Sequence, residues 1–422
     1  MHASAFTRTA LSLAVVGLSM GTAHSAGFQL LEQNASGLGN AYAGSAAIAE
    51  NASTVHYNPA GMSFLPGVNV SAGFSLVRPS FKFTDNGDSR DPLGMGGRPP
   101  SGGNGGDAGG KFVPVPNGAI TWQLNDRWHV GVHAGGPFGL ATTYNDNWAG
   151  QYHSKHFAIK TYNINPSVSY RVNDMFSLGL GVNYQWIDAE YTKTQVVGSG
   201  VARGAKVKMD GGAWGWNVGA MMQATPDTRI GISYRSKVRH KASGTTTVDD
   251  VGSFKANADV ALPDTAIFSV MHNLNARWTL LGDVSWTGWS SIPELKIRNA
   301  GAGARDDSLK LEFRDTWRVA LGANYKMNER WKLKGGVAFD QSPVHEARYR
   351  PTSLPDNNRW WLSAGVQYQY SPSTTIDIGY SHLILRKTKI DNDGEDVRTK
   401  GRIAGDYKGN GNIIGVQLTS RF

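Results

Sequence analysis

The sequence contains no cysteine, which excludes disulfide bonds and thiolate metal sites. Beyond the N-terminus it has no apolar run of 18 residues, which excludes transmembrane helices. The formal net charge is +9, but no run of five or more Lys and Arg residues occurs, so the charge does not indicate a nucleic-acid partner. What remains is a long chain, rich in glycine (52 residues) and with 10% aromatic residues.

Recognised catalytic motifs are also missing. The sequence has no Gly-x-Ser-x-Gly, no phosphate-binding loop and no dinucleotide fingerprint. Counting alone leaves a Ser/His/Asp triad open, since these residues are common. His153 and His156 are three residues apart in a long polar loop, where surface histidines are ordinary. We therefore expect neither an enzyme nor a protein with a cofactor or metal.

Residues 1–25 have the organisation of a secretory signal peptide. Arg8 precedes an apolar run from Ala10 to Met20, and Ala23-His24-Ser25 provides small residues near a cleavage site. A membrane anchor is the alternative, but the run is short for a span. We expect an exported chain whose mature form starts at Ala26.

The N-terminal segment (residues 26–67) has no clear strand or helix period but is rich in Gly and Ala and ends near Asn58-Pro59-Ala60. A disordered tail is one interpretation. Its many apolar side chains, from Phe28 to Met62, are more than a tail leaves in water. We predict a compact plug, or hatch, inside a container formed by the rest of the chain.

Residues 68–422 alternate with a period of two. In one stretch, Trp317, Val319, Leu321, Ala323 and Tyr325 share a face, and polar or small residues share the other. Such apolar faces often begin and end in Trp or Tyr, which is typical of the aromatic girdles of outer-membrane barrels. The pattern predicts an all-β fold, a transmembrane β-barrel.

Short turns alternate with long polar loops along this region. Six short turns, beginning with Asn125-Asp126, and seven longer connections, beginning with residues 85–110, join 14 antiparallel strands. An even number puts both ends of the barrel on the periplasmic side. The last strand ends in Phe422, on its apolar face, and resembles the signal that outer-membrane assembly machinery reads.

Two features could serve a ligand. Gly135-Gly136-Pro137 interrupts the third strand, where proline cannot donate a ladder hydrogen bond, so it is either a break in the wall or a harmless bulge. The alternation places Asp340 and Lys193 on inward faces, and Arg348 follows on the outer side. These three charges hold the polar end of a ligand or are solvated pore residues.

Three motifs resemble the FadL-type outer-membrane transporters of long-chain fatty acids and other hydrophobic compounds: residues 26–30 (AGFQL), residues 37–44 (GLGNAYAG) and Asn58-Pro59-Ala60. Residues 339–344, 355–356 and 359–363 are similar to the same family. The resemblance implies a 14-stranded barrel with a hatch, capture at the outer loops, an apolar pocket and lateral exit at the kinked third strand. It assigns hatch roles to Asn58, Pro59 and Ala60, the lateral opening to residues 135–137, and the ligand's polar end to Asp340 and Lys193. We expect the Asn58 side chain, which has both a donor and an acceptor, to satisfy backbone groups left unpaired in the interrupted strand.

This chain has Gly-Gly-Pro at the kink, shorter loops, and Leu309 or Lys310 where the family pattern suggests a pocket lysine. Because the sequence has no nucleotide-binding motif, we expect transport to be passive. The resemblance implies that the chain carries fatty acids or aromatic hydrocarbons as a monomer in the outer membrane, surrounded by lipid and lipopolysaccharide. A general polar porin or a structural or adhesive barrel is the alternative, and it predicts an open lumen.

Overall fold

The computed structural model describes residues 27–198, 200–301, 304–394 and 396–422. The predicted signal peptide lies outside the described residues. The strands are β1 (Val68–Asp85), β2 (Val113–Gln123), β3 (Trp128–Gly135 and Gly139–Thr143), β4 (His156–Arg171), β5 (Phe176–Val197), β6 (Val201–Thr225), β7 (Thr228–Arg235 and Val238–Val248), β8 (Gly252–Leu262 and Thr265–Asn273), β9 (Trp278–Thr287 and Glu294–Ala300), β10 (Asp307–Lys310 and Thr316–Lys326), β11 (Trp331–Asp340), β12 (Arg359–Ser371), β13 (Thr374–Leu385 and Thr388–Asn392) and β14 (Ile403–Arg421).

These strands form a closed antiparallel barrel. Each strand pairs with its neighbours in sequence, and β1 also pairs with β14, so that Asn69 lies opposite Arg421 and Asp85 opposite Gly405. Closure removes the sheet edges on which other chains could pair. The prediction of 14 strands is confirmed within the described residues, although six of the strands are interrupted.

The connections differ between the two ends of the barrel. The predicted short turns all join adjacent strands at one end, where the barrel also begins and finishes: the Val68 N–H donates to the Phe422 carbonyl (3.1 Å). The longest connections, between β1 and β2 and between β11 and β12, lie at the other end. The predicted asymmetry of turns and loops is confirmed.

Outward faces are apolar, as the alternation predicts. On β6, Trp214 is 69% exposed, whereas the neighbouring inward residue Asn217 is 3% exposed. Aromatic rings pair across adjacent strands near the short turns, as in Trp128 with Tyr170 and Trp278 with Tyr325, both at 4.7 Å between ring centroids. None of the helices in the described part of the chain has the length and apolar character needed to cross a membrane.

The N-terminal segment lies within the ring of strands. It contains a 3₁₀ turn (Leu38–Asn40), a helical turn (Thr54–Tyr57) and a 3₁₀ helix (Pro59–Phe64), and most of its side chains are buried. Two further 3₁₀ turns lie outside this segment. Leu93–Met95 belongs to the connection between β1 and β2, and Trp289–Ser291 lies in the interruption of β9.

Inward-facing glycines of the wall bring the segment's backbone close. A Cβ atom at Gly231 would lie 1.9 Å from the Ala46 carbonyl oxygen, and one at Gly336 would lie 2.3 Å from the Asn40 backbone. Larger residues there would push the segment away from the wall. The wall glycines therefore allow the backbone of the segment to pack closely against the barrel.

Candidate functional site

The break in β3 is closed from inside by the N-terminal segment. β3 stops at Gly135 and resumes at Gly139. The Leu30 N–H donates to the Pro137 carbonyl and the Gly139 N–H donates to the Phe28 carbonyl, both at 2.8 Å. Residues 28–30 thus form a short surrogate strand on the broken wall, with Gln29 opposite Phe138.

Two side chains complete this closure. Gln33 Nε2 donates to the Gly136 carbonyl (2.8 Å), and Thr161 Oγ1 of β4 accepts from the Phe138 N–H (2.9 Å). On the other side of the break, the pairing of β2 with β3 covers only residues 118–123 of β2. The predicted interruption at Gly135-Gly136-Pro137 is therefore present, and Gly135 itself still pairs with β4.

Our expectation that Asn58 satisfies the broken strand is wrong. Asn58 Nδ2 donates to the carbonyl oxygens of Ala46 (2.8 Å) and Ala220 (3.1 Å), the latter in β6, and its Oδ1 accepts from the Ala60 N–H. Asn58 has no room to reach β3 because it packs against Gly219 of β6. Asn58-Pro59-Ala60 therefore fixes the segment to β5 and β6, and residues 28–33 cover β3.

An apolar pocket of about 1000 Å³ lies beside the surrogate strand. Phe28 reaches into it from the segment and Leu140 from the resumed part of β3. Apolar side chains form most of the remaining lining: Phe157, Ile159, Ile187, Val207, Met209, Val260, Ile292, Leu295, Ile297, Leu309, Leu311, Phe313 and Leu354. A lining of this apolar character suits a hydrophobic ligand.

A charged group marks one end of the apolar pocket. Asp307 accepts from Lys193 Nζ at 2.5 Å and lies 3.2 Å from Lys400 Nζ. Lys193 was predicted at a ligand's polar end, whereas Asp307 and Lys400 were missed. Lys400 lies in the loop between β13 and β14, and no periodicity exists there from which its direction could be read.

A second, wider cavity of about 1680 Å³ lies on the long-loop side of this charged group. It shares Tyr191, Val207 and Asp307 with the apolar pocket and also contacts Lys193. Its lining is mixed, with Arg203, Arg305 and several polar side chains. The charged group thus lies between an outer vestibule and the apolar pocket.

Three aromatic rings separate the apolar pocket from a polar chamber on its other side. Phe28 contacts Trp289 at 4.8 Å and Phe138 at 6.0 Å between ring centroids, both edge-on. Trp289 is fully buried because the 3₁₀ turn that interrupts β9 carries it into the lumen. The Gly27 N–H donates to Asp356 Oδ2 (2.8 Å), and the other oxygen of this carboxylate, Oδ1, pairs with Arg359.

The polar chamber, about 870 Å³, lies against the break. Its lining includes Pro137, Arg235, Arg318 and Asp340. Asp340 is buried and inward-facing, as predicted, but it lines this chamber, whereas Lys193 lines the outer vestibule. The two residues were predicted to act together, and their different heights in the barrel keep them apart.

Arg348 does not line the apolar pocket. It is exposed, with its guanidinium 5.6 Å from the centre of the Tyr349 ring. Two residues later, Arg350 is buried and donates to the carbonyl oxygens of Asp356 and Lys389. The loop between β11 and β12 has no regular period, so the alternation could not distinguish these two arginines.

Two acids of the N-terminal segment are buried in different surroundings. The Glu32 carboxyl is fully buried, and neither of its oxygens has a hydrogen-bond partner among the described residues. Burial raises its pKa from 4.5 to about 7, and nearby Asp340 adds to the rise. Glu50, by contrast, pairs with Lys334 of β11 at 2.8 Å, and Lys334 also pairs with Asp377 of β13 at 2.9 Å.

The family model described as "Outer membrane protein transport protein (OMPP1/FadL/TodX)" matches residues 16–422. The chain belongs to this family. A long-chain fatty acid transport protein of Escherichia coli O6:H1 is 31% identical over 434 residues, covering 91% of this chain and 92% of that protein. Outer membrane protein P1 of Haemophilus influenzae strain Rd is 30% identical over 435 residues, covering 94% and 93%.

Solved structures of FadL-type proteins have the same fold. A Pseudomonas aeruginosa FadL homologue matches with a TM-score of 0.88 at 26% identity, covering 94% of this chain and 100% of that one. The Pseudomonas putida toluene transporter TodX matches with a TM-score of 0.68 at 17% identity, covering 94% and 100%. As a member of the FadL family with a closed barrel, this protein is located in the Gram-negative outer membrane.

Proposed function

We propose that this FadL-family protein carries long-chain fatty acids or other hydrophobic compounds passively across the outer membrane. In this proposal the outer vestibule captures the compound, the apolar pocket binds it, and the break at Gly135-Gly136-Pro137 releases it sideways. The observation that supports the route is that Phe28 takes part in two structures at once. Its ring lines the apolar pocket and its carbonyl accepts the hydrogen bond from Gly139.

This double role couples binding to opening. A ligand that fills the apolar pocket competes with the Phe28 ring for the same space. Displacing Phe28 removes the hydrogen bond to Gly139 and weakens its neighbour from Leu30 to Pro137. Each such bond contributes about 0.5–1.5 kcal/mol net, so burying up to about four CH₂ groups of a ligand, at about 0.8 kcal/mol each, offsets the loss of both bonds.

A lateral route matches the chemistry of a hydrophobic compound. Burying each CH₂ group of its chain is worth about 0.8 kcal/mol. An exit through the aqueous periplasmic end would return that surface to water, whereas an exit through the wall leads directly into lipid. The polar chamber beside the break would hold the compound's polar end during passage, and we assign that role to Arg235, Arg318 and Asp340.

The rest of the segment is proposed to stay in place as the hatch. Asn58-Pro59-Ala60 is bonded to β6, and Glu50 is paired with β11. A hatch fixed in this way blocks the lumen, which disfavours a general polar porin. We further expect a monomer in lipid and lipopolysaccharide, inserted by assembly machinery that reads the exposed Phe422.

Uptake by cells tests the proposal. The chain is expressed in a Gram-negative host that lacks its own long-chain fatty acid transporter, and entry of oleate, toluene and a small sugar is followed. We expect the chain to restore oleate entry, since the relative with 31% identity named above is a long-chain fatty acid transport protein. Sugar entry without oleate or toluene entry would identify a polar porin.

A further inference from the structure

Asp307 occupies the position where the carboxylate of a fatty acid would be expected to bind. Its two carboxylate oxygens contact different lysines: Oδ2 contacts Lys193 Nζ (2.5 Å) and Oδ1 contacts Lys400 Nζ (3.2 Å). The Lys193 and Lys400 side chains are only 9% and 11% exposed. Ammonium groups buried to this extent require a carboxylate partner.

The side chains of Lys193, Lys400 and Asp307 together carry a net charge of +1, because two lysines share one aspartate. Asp396 of the β13–β14 loop lowers this excess from the vestibule side. His153, whose ring is close to both lysines, stays neutral because burial lowers its pKa to about 3, with Lys400 and Lys193 adding to the effect. The group can therefore accept a second anion without a change of protonation.

The excess positive charge lies between the outer vestibule and the apolar pocket. Asp307 lines both the outer vestibule and the apolar pocket. Lys400 is held from two sides, since its Nζ also donates to the Ser308 carbonyl. A compound moving from the vestibule into the pocket must pass the three side chains.

We propose that Asp307 is an internal competitor for the substrate's carboxylate, so that Lys193, Lys400 and Asp307 form an exchange gate that admits anionic amphiphiles. This inference rests on the proposed function. An arriving carboxylate takes over Lys400, Asp307 keeps Lys193, and the loop that carries Lys400 is released from β10. A neutral hydrocarbon has no group to exchange with Asp307 and gains nothing from the lysines.

The gate predicts a preference between ligands with the same tail. Dodecanoate and dodecanol differ only in the head group, and their binding to the purified full chain in detergent can be measured by calorimetry. We expect dodecanoate to bind roughly tenfold or more tightly, since a hydrogen bond to a charged group contributes about 1.5–3 kcal/mol. Asp307→Asn should raise dodecanoate affinity several-fold because the competitor is removed. Lys400→Met should abolish the difference between the two ligands.

Dodecanol affinity is the internal control for an intact pocket and should be the same in all variants. Matched controls are Asp146→Asn and Lys387→Met, whose side chains are exposed and pair with other partners, Lys155 and Asp406. Equal affinity for both ligands in the unmodified protein, or weaker dodecanoate binding in Asp307→Asn with dodecanol unchanged, overturns the exchange gate and leaves the proposed transport function standing. Failure of both ligands to bind overturns the proposed function as well.

Discussion

The backbone N–H of Gly139, where β3 resumes after its break, donates to the carbonyl oxygen of Phe28 at 2.8 Å. A residue of the lumen segment thereby replaces the neighbouring strand that the wall lacks at this point. Residues 28–33 also contact other strands, since Gln29 Nε2 donates to Thr265 Oγ1 of β8 (3.1 Å) and Gln29 Oε1 accepts from Thr287 Oγ1 of β9 (3.2 Å). In the proposed route these contacts break, while Asn58-Pro59-Ala60 and Glu50 hold the remainder of the segment in place.

The fixed part should depend on Lys334. Lys334→Met removes the cation between Glu50 and Asp377 and leaves two buried carboxylates without it. We expect a loss of about 3–5 kcal/mol in the free energy of unfolding and a rise in permeability to small polar solutes. Urea unfolding in detergent and solute entry measure the two effects.

Lys326→Met is the matched control for this prediction. Lys326 pairs with Glu329 on the surface, and both side chains are largely exposed. Exposed pairs of this type contribute up to about 1 kcal/mol. An equal loss of stability in the two variants would show that the buried ion group does not hold the segment.

Asn58→Ala should loosen the segment without unfolding the barrel. The change leaves the carbonyl oxygens of Ala46 and Ala220 without this donor, at a cost of about 1–3 kcal/mol for each group left buried without a partner. Hydrogen exchange at residues 44–61 should speed up, while the heat-dependent mobility of the folded barrel on gels stays the same. Asn86→Ala, in an exposed loop, should change neither; slow exchange in both variants would contradict the role of Asn58.

Glu32 should make the closure sensitive to pH. The folded protein keeps this carboxyl protonated up to about pH 7, whereas the unfolded chain releases the proton near 4.5. The contribution of Glu32 to the free energy of unfolding is therefore fully present below pH 4.5. It falls by about 3 kcal/mol in total as the pH rises towards 7.

The comparison with Glu32→Gln isolates that contribution from other titrating groups. Between pH 4.5 and 7 the free energy of unfolding of the unmodified protein should fall relative to that of Glu32→Gln, and exchange at residues 28–33 should accelerate. A constant difference across this range would show that Glu32 is ionised in the folded protein or reaches water.

The strands could be predicted because successive residues of a barrel strand alternate between the outside and the lumen. In β10, Trp317, Val319 and Leu321 are exposed to the outside and Arg318 and Ala320 are buried, as alternation requires. The same rule placed Lys193 and Asp340 inside. It works because each wall residue faces either lipid or lumen, and the period of two decides which.

The parts of the site that were missed depend on long-range contacts. Lys400 and Arg350 lie in loops, where side chains do not alternate regularly between inside and outside. Trp289 enters the lumen only because β9 is interrupted. The partner of the broken β3 is the backbone of residues 28–30, and backbone groups carry no sequence signal. For the same reason the sequence could suggest Asn58 for that role, although Asn58 lies against β6.

Transport along the proposed route requires residues 28–30 to leave the break, and a reversible cross-link tests this requirement most directly. Gln29 and Phe138 are direct antiparallel partners, a geometry with Cα atoms about 4.5–5.5 Å apart that a disulfide can bridge. Because the chain has no cysteine, Gln29→Cys with Phe138→Cys introduces a single possible bond. Each single replacement controls for the lost side chain.

The measurement is oleate entry into cells carrying the double variant, before and after reduction. With the cross-link confirmed on gels, the oxidised protein should fail to carry oleate, and reduction should restore entry to the level of the single variants. Oleate entry that continues at that level through the fully oxidised protein would contradict the account, since the substrate would then leave the barrel by another route.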